Sequence, residues 1–207
     1  NGVALQPADA GMWDKDYRPY DGAGIWRGGE PYSSLYAAAL SGLFDGSTVS
    51  GRRISATERE VYLGMSQVTF GVIDRDGRGG IFTGSRLGNL YYYPIVEHDP
   101  LTVGEQLRLV DQRGITLRHP TVSATPIAYP NPKTKSTDLI VGGEGALYIY
   151  RFSGRYAADG SPVFEDPRPV LQREADLYGG SLVVPSVVDW DGDGILDIVA
   201  GNSEGRV

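Results

Sequence analysis

Val184-Pro-Ser-Val-Val-Asp-Trp-Asp-Gly-Asp-Gly-Ile-Leu-Asp-Ile-Val-Ala-Gly-Asn202 is the stretch from which the rest of the chain can be read. Two apolar runs, Val184–Val188 and Ile195–Ala200, flank a loop in which aspartates alternate with glycines. β-branched runs bounded by Asp and Gly clusters read as strands joined by a turn. The landmarks recur upstream. Pro185 is followed twelve residues on by Asp197 and four later by Gly201; Pro126, Asp138 and Gly142 keep the same spacings 59 residues earlier.

Working outward, Gly142-Gly-Glu-Gly-Ala-Leu-Tyr148 matches Gly28-Gly-Glu-Pro-Tyr-Ser-Ser-Leu-Tyr36. Gly84-Ser-Arg-Leu-Gly-Asn-Leu-Tyr91 and Gly201-Asn-Ser-Glu-Gly-Arg-Val207 are further copies. The anchors Gly28, Gly84, Gly142 and Gly201 stand 56, 58 and 59 residues apart. Each copy reads as strand, tight glycine turn, strand, with Gly supplying the positive φ of a short hairpin. A β-repeat of this length suits a four-stranded propeller blade with long loops, since blades run to about 40–50 residues.

In the third copy the strands are predicted at 125–129 (A), 138–142 (B), 146–152 (C) and near 169–172 (D). The second gives 68–73, 80–83, 89–96 and 106–110; the fourth gives 186–188 and 196–200, and ends where C would begin. The fold class expected is therefore all-β, a β-propeller with about three and a half blades in a single partial domain over residues 1–207. Closure takes about 4–8 blades, so the chain is expected to be a piece of a larger ring. The alternative is a sandwich or barrel with accidental similarity. The one helix-like stretch, 33–43, reads equally as a strand ending in a turn.

Composition narrows function. The 207 residues hold 19 Lys+Arg against 26 Asp+Glu, a net charge of −7, with 41% hydrophobic residues. That is enough apolar content for a packed core. The absence of Cys excludes disulfides, Cys-based zinc sites and thiol nucleophiles. An acidic chain without a basic block argues against nucleic acid as partner. Apolar runs such as 181–188 are far shorter than the roughly 20 residues of a membrane span. Nothing at the N-terminus reads as a signal peptide, which is compatible with a processed, mature form. Walker, G-x-S-x-G and dinucleotide-fold signatures are missing.

Asp189, Asp191, Asp193 and Asp197 occupy positions 1, 3, 5 and 9 of the loop, Gly192 and Gly194 let the backbone curl, and the carbonyl of Ile195 can add a further oxygen. Carboxylates this close repel one another unless a cation lies among them. An all-oxygen set favours Ca²⁺, then Mg²⁺, over zinc or iron. An EF-hand is rejected: its position 12 needs a bidentate Glu and is Ala200, and the flanks are β-runs. The bland alternative is an unliganded Asp-Gly turn.

Val184–Asn202 resembles the FG-GAP/VCBS repeat of integrin-α-like β-propellers, whose D-x-D-G-D-G-x-x-D loop joins strands A and B of a blade and holds one structural Ca²⁺. The resemblance is specific over 184–206, partial over 126–150, and weaker over 68–93 and 24–36. The third copy has Pro130, Pro132 and Thr134 at the metal positions and keeps only Asp138; the second keeps Asp74 and Asp76 with Arg78 in place of the third acid. Neither is expected to bind Ca²⁺, with Arg78 standing in as cation in one and prolines stiffening the other. Reliance on ambient Ca²⁺ points to a secreted or cell-surface protein.

In a propeller, A–B and C–D turns share one face, and B–C turns and D-to-A links the other. His98 then lies on the calcium face and His119 on the opposite one. Tyr62, His119 and Tyr178 stand 22, 23 and 23 residues before their glycine anchors, at matching link positions. With Arg86 and Glu144 in B–C turns, and Arg173 nearby in the chain, they form a candidate glycan site. His119 and Tyr178 are the candidate catalytic pair, and Tyr62, Arg86 and Arg173 the candidate substrate-binding residues. Arg pairs a carboxylate, Tyr stacks on a sugar ring, and a tuned His or Tyr abstracts a proton. Some seven-bladed propellers with such repeats are polysaccharide lyases for uronate-containing glycans, so a lyase is one reading by analogy of fold. The other is a non-catalytic module for carbohydrate or protein adhesion. The remaining blades of the ring are a further expected partner. The bland reading of the link residues is half-buried interface tyrosines and a solvated histidine.

Overall fold

The computed structural model describes residues 35–38, 44, 46, 48–56, 59–60, 67–72, 77–171 and 177–207. Among these every regular element is a strand. The first repeat contributes β1 (Tyr36–Ala37), β2 (Arg52–Arg53), β3 (Ser55–Ala56) and β4 (Arg59–Glu60). The second contributes β5 (Val68–Val72), β6 (Gly79–Gly84), β7 (Leu90–His98), β8 (Leu101–Val103) and β9 (Leu107–Arg108). The third holds β10 (Thr125–Asn131), β11 (Ser136–Gly142), β12 (Tyr148–Tyr150), β13 (Phe152–Tyr156), β14 (Pro162–Phe164) and β15 (Arg168–Pro169). The fourth holds β16 (Val184–Val188) and β17 (Asp197–Gly201).

Alternation of apolar and small residues, broken by Gly and Pro, sets these strands, and the repeats share one order. The third forms an antiparallel sheet β10-β11-β12-β15. In the second, β5 pairs β6, β6 pairs β7 and β7 pairs β9, all antiparallel. The fourth pairs β16 with β17, from Val184↔Gly201 to Val188↔Asp197. The strands therefore fall where the A, B, C and D positions were predicted. Within 33–43 the described part is the strand β1 and no helix.

The sequence did not announce a hairpin inserted between C and D. The outer half of β7 pairs β8, and β13 pairs β14. Each hairpin reaches back to the preceding repeat through a parallel bridge, Ala56↔Val103 in one case and Val110↔Val163 in the other.

Successive sheets pack face to face. One core joins Phe82, Leu90, Tyr92, Leu109 and Leu117 of the second repeat to Leu139, Val141, Tyr150, Phe152 and Phe164 of the third. Another joins Leu35 and Ile54 to Ile81, Tyr93 and Val103, and a third joins Ile140 and Leu147 to Val183. Phe82 and Phe164 meet edge to face at 6.2 Å. Burying each such ring contributes roughly 1.5–3 kcal/mol to the interfaces between repeats. The first strands lie side by side, β10 against β5 and against β16. Ala128 N–H donates to Thr69 Oγ1 at 3.1 Å, and Thr125 Oγ1 to the Val183 carbonyl at 2.6 Å.

Two glycines make this stacking possible. A Cβ on Gly84 would run into the Ala124 carbonyl, and one on Gly142 into the Val183 carbonyl, its exact counterpart 59 residues on. The ends of β6 and β11 thus touch the backbone that begins the next repeat.

Candidate functional site

The acidic loop is the connection between β16 and β17. Gly192 (φ +79°) and Gly194 (φ +84°) take left-handed conformations, which turns their N–H groups onto Asp189. Gly192 N–H donates to Asp189 Oδ1 at 2.8 Å and Gly194 N–H to Asp189 Oδ2 at 3.0 Å. Trp190 N–H donates to Asp197 Oδ2 at 2.9 Å. Carboxylate oxygens of Asp189, Asp191 and Asp197 converge within 4.8 Å of one another. Two oxygens bound at 2.3–2.6 Å on opposite sides of one Ca²⁺ stand about 5 Å apart, so the spacing fits a shared hard cation. Asp193 is not part of this trio; its Oδ1 accepts the Ile195 N–H at 2.7 Å. The Ile195 side chain is exposed. The loop is open to solvent, and nitrogen and sulfur donors do not contribute to the trio.

The equivalent turn of the third repeat, between β10 and β11, is closed by hydrogen bonds within the protein. Asn131 Nδ2 donates to Asp138 Oδ2 at 2.8 Å, and Phe152 N–H donates to Asp138 Oδ1 at 3.0 Å. Asn131 Oδ1 caps the turn by accepting the N–H groups of Lys133 and Thr134. Asp138 is buried, and burial raises its pKa against the pull of these two donors. The sequence reading did not include Asn131, which stands between two of the former metal positions, Pro130 and Pro132. Its signal was an Asn one residue into a loop that had lost its acids. In the second repeat Arg78 lies over the Tyr156 ring at 4.6 Å, while Asp74 and Asp76 lie outside the described residues.

The structure separates the predicted pair His119 and Tyr178. His119 is 3% exposed, packed edge-on against Tyr148 (5.2 Å) and beside Tyr150 of β12. Its Nδ1 is hydrogen bonded to Tyr150 Oη at 3.0 Å, and its Nε2 is buried with no partner among the described residues. Desolvation lowers its pKa to about 4, so the ring is neutral at pH 7. Tyr178 is 73% exposed, its ring beside Gly145. No hydrogen bond or ring contact joins it to His119. Arg86 is exposed in the turn after β6, where its carbonyl accepts the Ser123 N–H. Glu144 accepts a hydrogen bond from Ser181 Oγ at 2.5 Å. Tyr62 and Arg173 lie outside the described residues.

The match of His119 with Tyr178 is corrected by one residue. Asn89 bridges Arg118, and Ala146 bridges Tyr178. His119 N–H donates to the Gly88 carbonyl as Gly179 N–H donates to that of Gly145. Arg118 is thus the counterpart of Tyr178, and His119 that of Gly179. One residue of difference in link length turns the histidine inward and the tyrosine outward.

Comparison with known proteins finds no matching family model, no similar curated protein and no similar solved structure.

Proposed function

We propose that the repeats are blades of a secreted, calcium-stapled β-propeller, part of a seven-bladed ring of the FG-GAP/VCBS type, that binds carbohydrate without cleaving it. The propeller reading is supported by the shared strand order, by the side-by-side first strands and by cores lying between successive sheets. The staple reading is supported by the convergence of Asp189, Asp191 and Asp197. When bound, Ca²⁺ would neutralise these carboxylates and hold the β16–β17 hairpin closed, adding its binding free energy to folding.

One observation carries the choice between binding and catalysis: His119, the candidate base, is shut into the core at 3% exposure. A general base must come within about 2.6–3.2 Å of the proton it takes, directly or through one water. Tyr178 and Arg86 instead offer an open aromatic face and a guanidinium, with Glu144 in the neighbouring turn, which is chemistry for holding a sugar chain.

The test is incubation with acidic polysaccharides, following binding and the absorbance of unsaturated uronate together. Binding with flat absorbance, weakened by Tyr178→Ala, is expected. A rise in absorbance that His119→Ala abolishes would restore the lyase reading.

A further inference from the structure

The corrected register brings forward an exposed residue that the sequence reading left out. Arg118, the counterpart of Tyr178, lies beside the turn that joins β6 to β7. Its backbone bridges Asn89, and its Nε donates to the Leu87 carbonyl at 2.9 Å. That bond fixes the guanidinium on the turn and leaves its Nη groups available as donors. Arg86 stands one residue before Leu87 in the same turn and is exposed too. Among the described residues neither guanidinium has an acidic partner. In a chain of net charge −7, two arginines on one turn with no carboxylate between them make a local reversal of charge.

The next repeat carries different chemistry at the same two positions. Arg86 and Glu144 each stand two residues after their glycine anchor, and Arg118 is matched by Tyr178. The Glu144 carboxylate accepts the Ser181 hydroxyl, and the Tyr178 ring is exposed beside Gly145. The two turns belong to one continuous surface. Ser123 N–H donates to the Arg86 carbonyl, and Glu144 N–H to that of Val122. The second repeat therefore offers two cations here, and the third an aromatic ring and an acid.

We propose that Arg118 and Arg86 select acidic glycans, taking the carboxylate or sulfate of one sugar at the β6–β7 turn while Tyr178 packs on a neighbouring sugar ring. This selection rests on the carbohydrate-binding reading and assigns its charge preference to one repeat. Guanidinium donors match the paired oxygens of a carboxylate or sulfate. The fork of Arg118 is already oriented by its bond to Leu87, so less freedom is lost on binding. The charge on Glu144 repels an anion from the third repeat, which sets the direction of the chain: acidic sugar on the second repeat, uncharged face on the third.

The test measures the affinity of the 207-residue chain for hyaluronan and its carboxyl-reduced form, and for dextran sulfate and dextran. At least one acidic polymer is expected to bind about tenfold or more tighter than its uncharged form, the scale of a hydrogen bond between charged groups. The advantage should shrink as salt is raised. A preference confined to hyaluronan identifies a carboxylate, and one confined to dextran sulfate a sulfate. Arg118→Gln and Arg86→Gln are expected to remove most of the preference, and Tyr178→Ala to weaken charged and uncharged forms alike. Equal affinity for charged and uncharged forms, or an undiminished preference in Arg118→Gln, would overturn the proposal and leave carbohydrate binding in place. Binding of none of the four polymers would overturn both.

Discussion

His119 Nδ1 lies 3.0 Å from Tyr150 Oη across the interface between the second and third repeats. The contact joins a link residue of one repeat to the third strand of the next, and the ring has no other polar partner among the described residues. The folded state holds this histidine neutral down to about pH 4, whereas an unfolded one takes up a proton near pH 6.5. Between those values the unfolded chain binds more protons, so stability falls as the pH falls. For this one group the loss is about 2 kcal/mol at pH 5, and it stops growing once the folded form also titrates. Denaturant unfolding at pH 7 and pH 5 checks it. His119→Leu is expected to lose less stability than wild type over that interval; equal losses in the two proteins would contradict it.

Gly84 and Gly142 predict the severity of a methyl group. At either position the added Cβ meets a backbone carbonyl of the next repeat, which cannot rotate away. Gly84→Ala and Gly142→Ala are each expected to destabilise by about 3 kcal/mol or more, as overpacking and backbone displacement do. Gly192→Ala is the contrast: its Cβ would meet nothing within 4 Å, and only the φ of +79° resists it. About 1 kcal/mol is expected there. Melting temperatures of the three variants should rank accordingly.

Asp138 predicts how the β10–β11 turn is held. Asp138→Ala strands the Phe152 N–H and the Asn131 amide, and a cost of about 1–3 kcal/mol is expected. The loss should be unaffected by EGTA, because the turn's two links to this carboxylate are protein hydrogen bonds. A variant whose stability still responds to its own local metal would refute that division of labour between repeats.

The strand plan was legible because its signals are local. Pro126 and Pro185 begin equivalent strands, Gly142 and Gly201 end their partners, and the spacing between them survives the loss of the acids. The β13–β14 hairpin was not legible. Its strands include Ser153, Gly154 and Arg155, which carry no apolar alternation, and its anchor is Val110, in the preceding repeat. The burial of His119 was hidden for the same reason. It depends on Tyr148 and Tyr150, some thirty residues away in chain, and on a link one residue out of step with its neighbour. The acidic loop was readable as a cluster, and the sequence grouped Asp193 with the other three acids; the structure brings Asp189, Asp191 and Asp197 together, while Asp193, like each of them, accepts a backbone N–H of the loop.

That difference makes a graded prediction. Asp191→Ala removes one of the three converging carboxylates and is expected to abolish cation binding and the stabilisation that comes with it. Asp193→Ala is expected to lower the melting temperature as well, through the lost cap on the Ile195 N–H, while retaining part of the cation response. Thermal melts with Ca²⁺ and with EGTA separate the two. Identical behaviour of both variants would put Asp193 among the ligands.

The most direct measurement is a calorimetric titration of the intact chain with Ca²⁺ after exhaustive treatment with chelator. The account predicts saturable binding of one ion per chain, a higher melting temperature in the bound form, and loss of both in Asp191→Ala. No binding at millimolar Ca²⁺, or binding that survives Asp191→Ala unchanged, would contradict it.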